Sequence, residues 1–224
     1  MIEILHKTKN IIVVYKPAGI PTQSDQSGDA DAMSLTAKAL SRMNEPSDLW
    51  LVHRLDRVVG GVVVFARNKP FAAALSELVG GRGMTKEYLA VVEGEALGGA
   101  MTDYLYKDSL SSKAFVVKPE KKGAKLAELE YTPLGIVMTE RGTRTLVKIK
   151  LHTGRFHQIR AQFASRKTPL VGDGKYGSRD NAAKHPALFA SRLAFNAKGD
   201  NADVKKAPEV NEYPWSLFDK EIYK

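Results

Sequence analysis

The chain has 224 residues, a formal net charge of +9, an isoelectric point near 9.6 and no cysteine. Disulfides, thiolate catalysis and cysteine-type zinc sites are thereby excluded, and the apolar runs fall far short of a membrane-spanning helix. The length suffices for a substantial core and no linker-like stretch divides it, so a single domain over residues 1–224 is expected. The opening residues Met1 to Lys7 lack the apolar run of a secretory signal, so a cytoplasmic location is expected, and the basic surface would attract a polyanion.

In chain order, Asn10 to Tyr15 is rich in β-branched residues and predicts a strand, stopped by Lys16-Pro17-Ala18-Gly19-Ile20-Pro21. That turn either lies on the surface or places Lys16 at the lip of a cleft. Residues 24–31 are polar and loop-like. Ser34 is a candidate cap for a helix with Leu35, Ala39 and Met43 on its core side, ending before Glu45-Pro46. Gly61 to Ala66 predicts a buried strand, and Asn68-Lys69-Pro70 a helix start. That second helix carries Phe71, Leu75 and Leu78 on one side and stops at Gly80-Gly81. Thr85 to Glu93 reads as a further strand, closed by Gly94.

From Asp103 to Lys125 the chain turns polar and basic, and Lys118 to Lys125 predicts a solvated hairpin tip or a phosphate contact. Val147, Ile149 and Leu151 alternate with Lys148 and Lys150, the pattern of a half-buried strand. A helix over Phe156 to Ala164 would bury Phe156, Ile159 and Phe163. Arg160 then lies on the flank, ~40° from Phe156 at 100° per residue, where a guanidinium needs an acidic partner. Gly172-Asp173-Gly174-Lys175-Tyr176-Gly177 predicts a tight loop, and no Gly-Lys-Ser/Thr closes it as a nucleoside triphosphate site would require. Leu188 to Phe195 predicts a last strand, followed by a polar, extended tail containing Pro208 and Pro214.

The densest chemistry is His53-Arg54-Leu55-Asp56-Arg57, which runs through Gly60-Gly61 into an apolar strand. Arginines on both sides favour the ionised form of Asp56. Such a carboxylate suits a nucleophile or an electrostatic stabiliser better than a general acid, and a structural salt bridge is the alternative. The glycines permit close backbone approach and unusual φ. His53, Asp56, His152 and His157 lack metal-site spacing, and no Gly-x-Ser-x-Gly elbow is present, so neither a metal site nor a hydrolytic triad is expected.

His53-Arg54-Leu55-Asp56, Lys86-x-Tyr88-x-Ala90 with Gly94, and Thr153-Gly154-Arg155-x-His157-Gln158-Ile159-Arg160 stand in that order. Gly172-Asp173 and Tyr176-Gly177 follow them. Together with Lys16-Pro17-Ala18-Gly19, these blocks resemble the RluA-type family of RNA pseudouridine synthases. The resemblance implies an α+β fold, with a mixed, largely antiparallel sheet, flanking helices and an RNA-binding cleft. It implies isomerisation of specific uridines in rRNA or tRNA by base flipping, without metal or cofactor. Nothing in the sequence demands more than a monomer or an obligate protein partner, so a monomer is expected. Asp56 would attack the uridine at the ribose or the base. Tyr88 would pack on the base and assist loss of the C5 proton. Arg160 would pair with Asp56, and Arg54 would fill the gap left by the flipped nucleotide. His53, Arg57, Arg155, His157 and Lys16 would contact RNA. Val59-Gly60 stands where the family usually has Thr-Ser, and the chain begins without a separate N-terminal RNA-binding module. A catalytically inactive RNA-binding or RNA-chaperone protein on the same fold is the alternative.

Overall fold

A computed structural model describes residues 2–223, which fall into two compact units. The first runs from the N-terminal end to Lys86 and includes Ala190–Pro208; the second comprises Glu87–Phe189 and the chain from Glu209 onward.

The first unit holds β1 (Glu3–Lys7), β2 (Ile11–Lys16), α1 (Ala32–Arg42), β3 (Trp50–Leu51), β4 (Gly60–Ala66) and α2 (Lys69–Gly80). Its strand order is β1-β2-β4-β10, where β10 is Leu188–Ala197; β11 (Asp200–Lys205) pairs antiparallel with β10, and β3 with β4. Every residue of β4 is buried, as its unbroken apolar run predicts for a strand covered on both faces. Ile11, Val13, Val62, Val64, Leu75, Leu193 and Phe195 form the core of this unit, with Phe71 and Leu78 packed against it.

Helix α2 forms as expected. The Asn68 side chain accepts a hydrogen bond from the Phe71 amide, Pro70 occupies the first turn, and the chain leaves the helix at Gly81. Helix α1 differs from expectation in two ways. Its cap is Asp31, which accepts from the Ser34 amide at 2.9 Å, and its buried residues are Ala32, Thr36 and Leu40, one position on from the expected stripe. Met43 is 52% exposed. The polar tail also differs, since β11 is a regular strand whose Ala202 and Val204 face Phe195 and Leu193.

The second unit contains β5 (Thr85–Glu93, from Glu87 on), β6 (Gly99–Asp108), β7 (Lys113–Val117), β8 (Lys125–Thr139), β9 (Gly142–Leu151) and α3 (Gln158–Ser165). Its strands follow the order β5-β9-β8-β6-β7, all antiparallel. Lys118–Lys125 is exposed as expected, but it is not a hairpin tip, because β7 and β8 both pair with β6. In β9, Leu146, Val147, Ile149 and Leu151 are buried while Lys148 and Lys150 stay in solvent. The α+β class is borne out: antiparallel ladders dominate and the helices are few. Among the described residues no helix is long and apolar enough to cross a membrane.

Candidate active site

In the first unit, the loop of residues 52–59 joins two strands that pair with each other, Trp50 opposite Ala66 and Leu51 opposite Phe65. Asp56 is half-buried at its centre, and the backbone on both sides of it is tied down. The buried Thr22 hydroxyl donates to the Leu55 carbonyl at 2.8 Å and accepts from the Leu55 amide at 3.0 Å. On the other side, the Arg57 carbonyl accepts from the Gly19 amide at 2.8 Å and from Lys16 Nζ at 3.3 Å. The Val59 amide closes a turn onto the Asp56 carbonyl at 3.0 Å.

Lys16 corrects both sequence expectations. It is neither a surface residue nor the lip of a cleft: its side chain is fully buried, so it cannot be an open phosphate contact. Nζ also donates to the carbonyls of Pro17 at 3.0 Å and Ile20 at 2.7 Å. Burial lowers its pKa to about 7, against the pull of the nearby Asp56 charge, which raises it. An amine that gains and loses its proton near neutral pH therefore lies beneath the Asp56 loop, supplied from the end of a strand distant in sequence.

Gly61 meets both expectations for the glycine pair. Its φ is +133°, and a Cβ there would lie 2.3 Å from the Ala190 carbonyl oxygen and 2.5 Å from the Ala190 amide nitrogen. Only glycine fits.

The expected RNA-contacting residues of this loop separate. Arg54 is exposed and, among the described residues, makes no hydrogen bond or ion pair. The Arg57 guanidinium is turned to Asp29 at 2.7 Å and Asp25 at 3.3 Å on the exposed loop before α1, rather than standing open to solvent. His53 is a second correction. Its Nε2 accepts from the Val64 amide at 3.3 Å, and burial, with the Lys86 charge adding, lowers its pKa to about 4. A neutral imidazole bound to a strand gives no charge attraction to phosphate.

In the second unit, Tyr88 lies on β5 opposite Ile149 and is 8% exposed. The segment before α3 is held by Gln158, whose Oε1 accepts from the Thr153 hydroxyl at 2.8 Å and the Arg155 amide at 3.0 Å, while Nε2 donates to the Glu128 carbonyl at 3.1 Å. Helix α3 starts at Gln158, later than expected, because His157 takes a left-handed conformation with φ 50°. Arg155 is exposed and donates through Nε to the Leu126 carbonyl at 2.8 Å.

Arg160 is buried, and the acid it needs is Asp173 of the glycine-spaced loop. The two form a bidentate pair, Nε to Oδ2 at 2.7 Å and Nη2 to Oδ1 at 2.8 Å. The guanidinium also lies over the Tyr176 ring, 5.0 Å from its centre. Tyr176 Oη accepts from the Ala114 amide at 2.7 Å and lies 2.9 Å from His157 Nδ1, to which it is free to donate. Burial lowers the His157 pKa to about 3, with Arg160, Lys175 and Lys107 adding to the effect. It too is neutral, which removes the charge contact expected of it, and it stacks on Phe156 at 3.8 Å.

The structure thus gathers Lys16, His53, Arg54, Asp56 and Arg57 on one unit, and Tyr88, Arg155, His157 and Arg160 on the other. Sequence reasoning missed Thr22, Gln158 and the role of Asp173. For Asp173 a signal existed, since Arg160 required a carboxylate and the tight loop carries one. Among the described residues no three His, Asp or Glu side chains are grouped as metal ligands would be.

A family model described as RNA pseudouridylate synthase matches residues 10–165, which include Asp56, Tyr88 and Arg160. Curated relatives include tRNA pseudouridine synthase C of Vibrio vulnificus, 29% identical over 98% of this chain and 95% of its own length. A second tRNA pseudouridine synthase C, from Haemophilus influenzae, is 31% identical over 88% of this chain and 85% of its own. Among solved structures, human RNA Pseudouridylate Synthase Domain Containing 1 shares the fold, with a TM-score of 0.76 at 20% identity over 94% of this chain and 84% of that one. With a clamped aspartate loop and a family match across most of its length, the chain belongs to the RNA pseudouridylate synthases, isomerases that convert uridine in RNA to pseudouridine.

Proposed function

We propose that Asp56 is the catalytic carboxylate, that Tyr88 and Arg160 serve the same uridine, and that the substrate is tRNA. The observation carrying this reading is the double clamp on the Asp56 loop: Thr22 on one side, Gly19 and Lys16 on the other. A reactive group held on both sides loses little entropy on reaching the reacting geometry. In this reading Tyr88 presents its ring to the base, and Arg160, held by Asp173, supplies a positive charge to the reaction.

The reaction balances without cofactor. The N1–C1′ bond breaks, uracil turns, and a C5–C1′ bond forms; C5 loses a proton and N1 gains one, with no net change in composition. Extruding the base costs a few kcal/mol of stacking, offset by Arg54 entering the vacancy and by Arg155 at the phosphates. Some of the relatives that match over most of both chains carry tRNA in their names, which supports tRNA over rRNA, while another matching as fully is named only for RNA. The enzyme works in the cytoplasm, as a monomer without a protein partner.

Pseudouridine mapping of RNA from cells with and without the gene names the substrate and site. Complementation with an Asp56→Ala variant should leave that site as uridine while RNA binding persists. Full modification by Asp56→Ala, or an unchanged map in the deletion strain, would refute the reading.

A further inference from the structure

Between β7 and α3 the second unit carries a groove of about 450 Å³, within the ~300–1,000 Å³ range of ligand clefts. Lys113 and Lys175 line it, with Phe115, Ser165, Tyr176 and the small face of Ala161 between them; among the described residues no acidic side chain contributes to its lining. β7 is the last strand of its ladder, so among the described residues one of its backbone edges is not covered by another strand. The Ala114 amide points to that side, where it meets Tyr176 Oη at 2.7 Å. Alternation along a strand turns the Val116 amide the same way. Phe115 is 45% exposed beside it, an aromatic face in solvent. Close by, Lys107 lies over the Phe156 ring at 4.7 Å, and the charges of Lys107 and Lys175 both reach His157. The groove therefore combines lysines, an outward amide and an exposed aromatic ring, with no carboxylate in its wall.

We infer that this groove is an accessory RNA-binding site that holds a phosphodiester strand of the substrate, with Lys113 and Lys175 as its phosphate contacts and Phe115 as a stacking surface. The inference rests on the RNA-modifying reading above and adds residues that it does not use. A phosphodiester strand supplies anionic acceptors to the lysines and the strand-edge amide, and its bases a stacking partner for the exposed Phe115 ring, all from one repeating unit.

The test uses the full chain and total RNA from a strain lacking the gene. Binding is measured at 50 and 200 mM salt for wild type, for Lys113→Ala/Lys175→Ala, and for Lys38→Ala/Lys69→Ala. The last pair removes the same charge from exposed positions on the other unit. Two lost phosphate contacts should reduce the salt slope of log K by roughly 1.4–1.8, so the wild-type advantage over the groove variant shrinks about 7–12-fold between those salts. The Lys38/Lys69 variant should keep the wild-type slope. Equal losses in both variants, or no loss in the groove variant, would overturn the assignment. Sedimentation adds an independent arm: a dimer dissolved by Phe115→Glu, with RNA affinity unmoved, would give the groove to a second copy of the chain instead. Pseudouridine formation by wild type is read separately, so a failure of the groove is distinguishable from a failure of the catalytic reading.

Discussion

Replacing Thr22 with valine tests whether the aspartate loop owes its position to one hydroxyl. Valine keeps the shape and removes the oxygen, leaving the Leu55 amide and carbonyl without the partners they have at 3.0 and 2.8 Å. Thr22 is 3% exposed and Leu55 6%, so water does not readily replace the lost bonds. A buried orphaned group costs about 1–3 kcal/mol, and the carbonyl, the less demanding of the two, falls at the lower end. The loss should be roughly 2–4 kcal/mol, which at ~2 kcal/mol/M lowers the urea midpoint by about 1–2 M. The loop should then lose registration, and displacement of a reacting group by ~1 Å is enough for a rate loss of about 100-fold. The assay follows tritium released from [5-³H]uridine in RNA, because the C5 proton must leave when the new bond forms. Thr22→Ser keeps the oxygen and should retain most of the rate despite losing a methyl group. If the Thr22→Val protein matched wild type in both urea midpoint and single-turnover rate, or if Thr22→Ser were as slow as Thr22→Val, the clamp would not be what positions the aspartate.

Gly61→Ala should yield little soluble protein, since its Cβ would overlap the Ala190 backbone and φ +133° adds strain; a normal thermal midpoint would refute the close packing. Asp173→Ala removes the bidentate partner of a buried guanidinium, with an expected cost of roughly 3–5 kcal/mol and a melting temperature lower by about 6 °C or more. His157, with a folded pKa near 3 below its unfolded value of ~6.5, makes the unfolded state the better proton binder between those values. Stability should therefore fall as pH drops from about 6.5 towards 3, and less steeply in His157→Asn. Lys16 obeys the same sign at higher pH: its folded pKa near 7 lies below its unfolded value. Stability should then rise with pH from 7 towards 10, a slope that Lys16→Met should flatten in pH-dependent urea titrations.

How much of this could be read from residues alone differs by element. Helix α2 was legible in full because its cap, proline, apolar spacing and terminal glycine agree with one another. Helix α1 offers two residues of capping type, Asp31 and Ser34, hydrogen-bonded together at 2.7 Å; Asp31 is the cap, and taking Ser34 for it starts the helix three residues late. Strand β11 was hidden because Asp200, Asn201 and Asp203 disfavour strands; its pairing with β10 overrides that preference by burying Ala202 and Val204. Asp56 was legible as a loop residue before a buried strand. Its support was not, because Lys16 and Thr22 reach it across long sequence separations, and full burial is the rarest fate of a lysine.

The Lys16 cage has an arithmetic consequence. An ammonium offers three N–H groups, and three carbonyls receive them: Pro17, Ile20 and Arg57. Loss of one proton leaves two donors for three acceptors, so one carbonyl must be released. The Arg57 oxygen has the longest contact, 3.3 Å, and keeps the Gly19 amide at 2.8 Å, so it surrenders its lysine bond most cheaply. Mild alkali should therefore slacken the tether just downstream of the carboxylate while the Thr22 anchor upstream stays fastened.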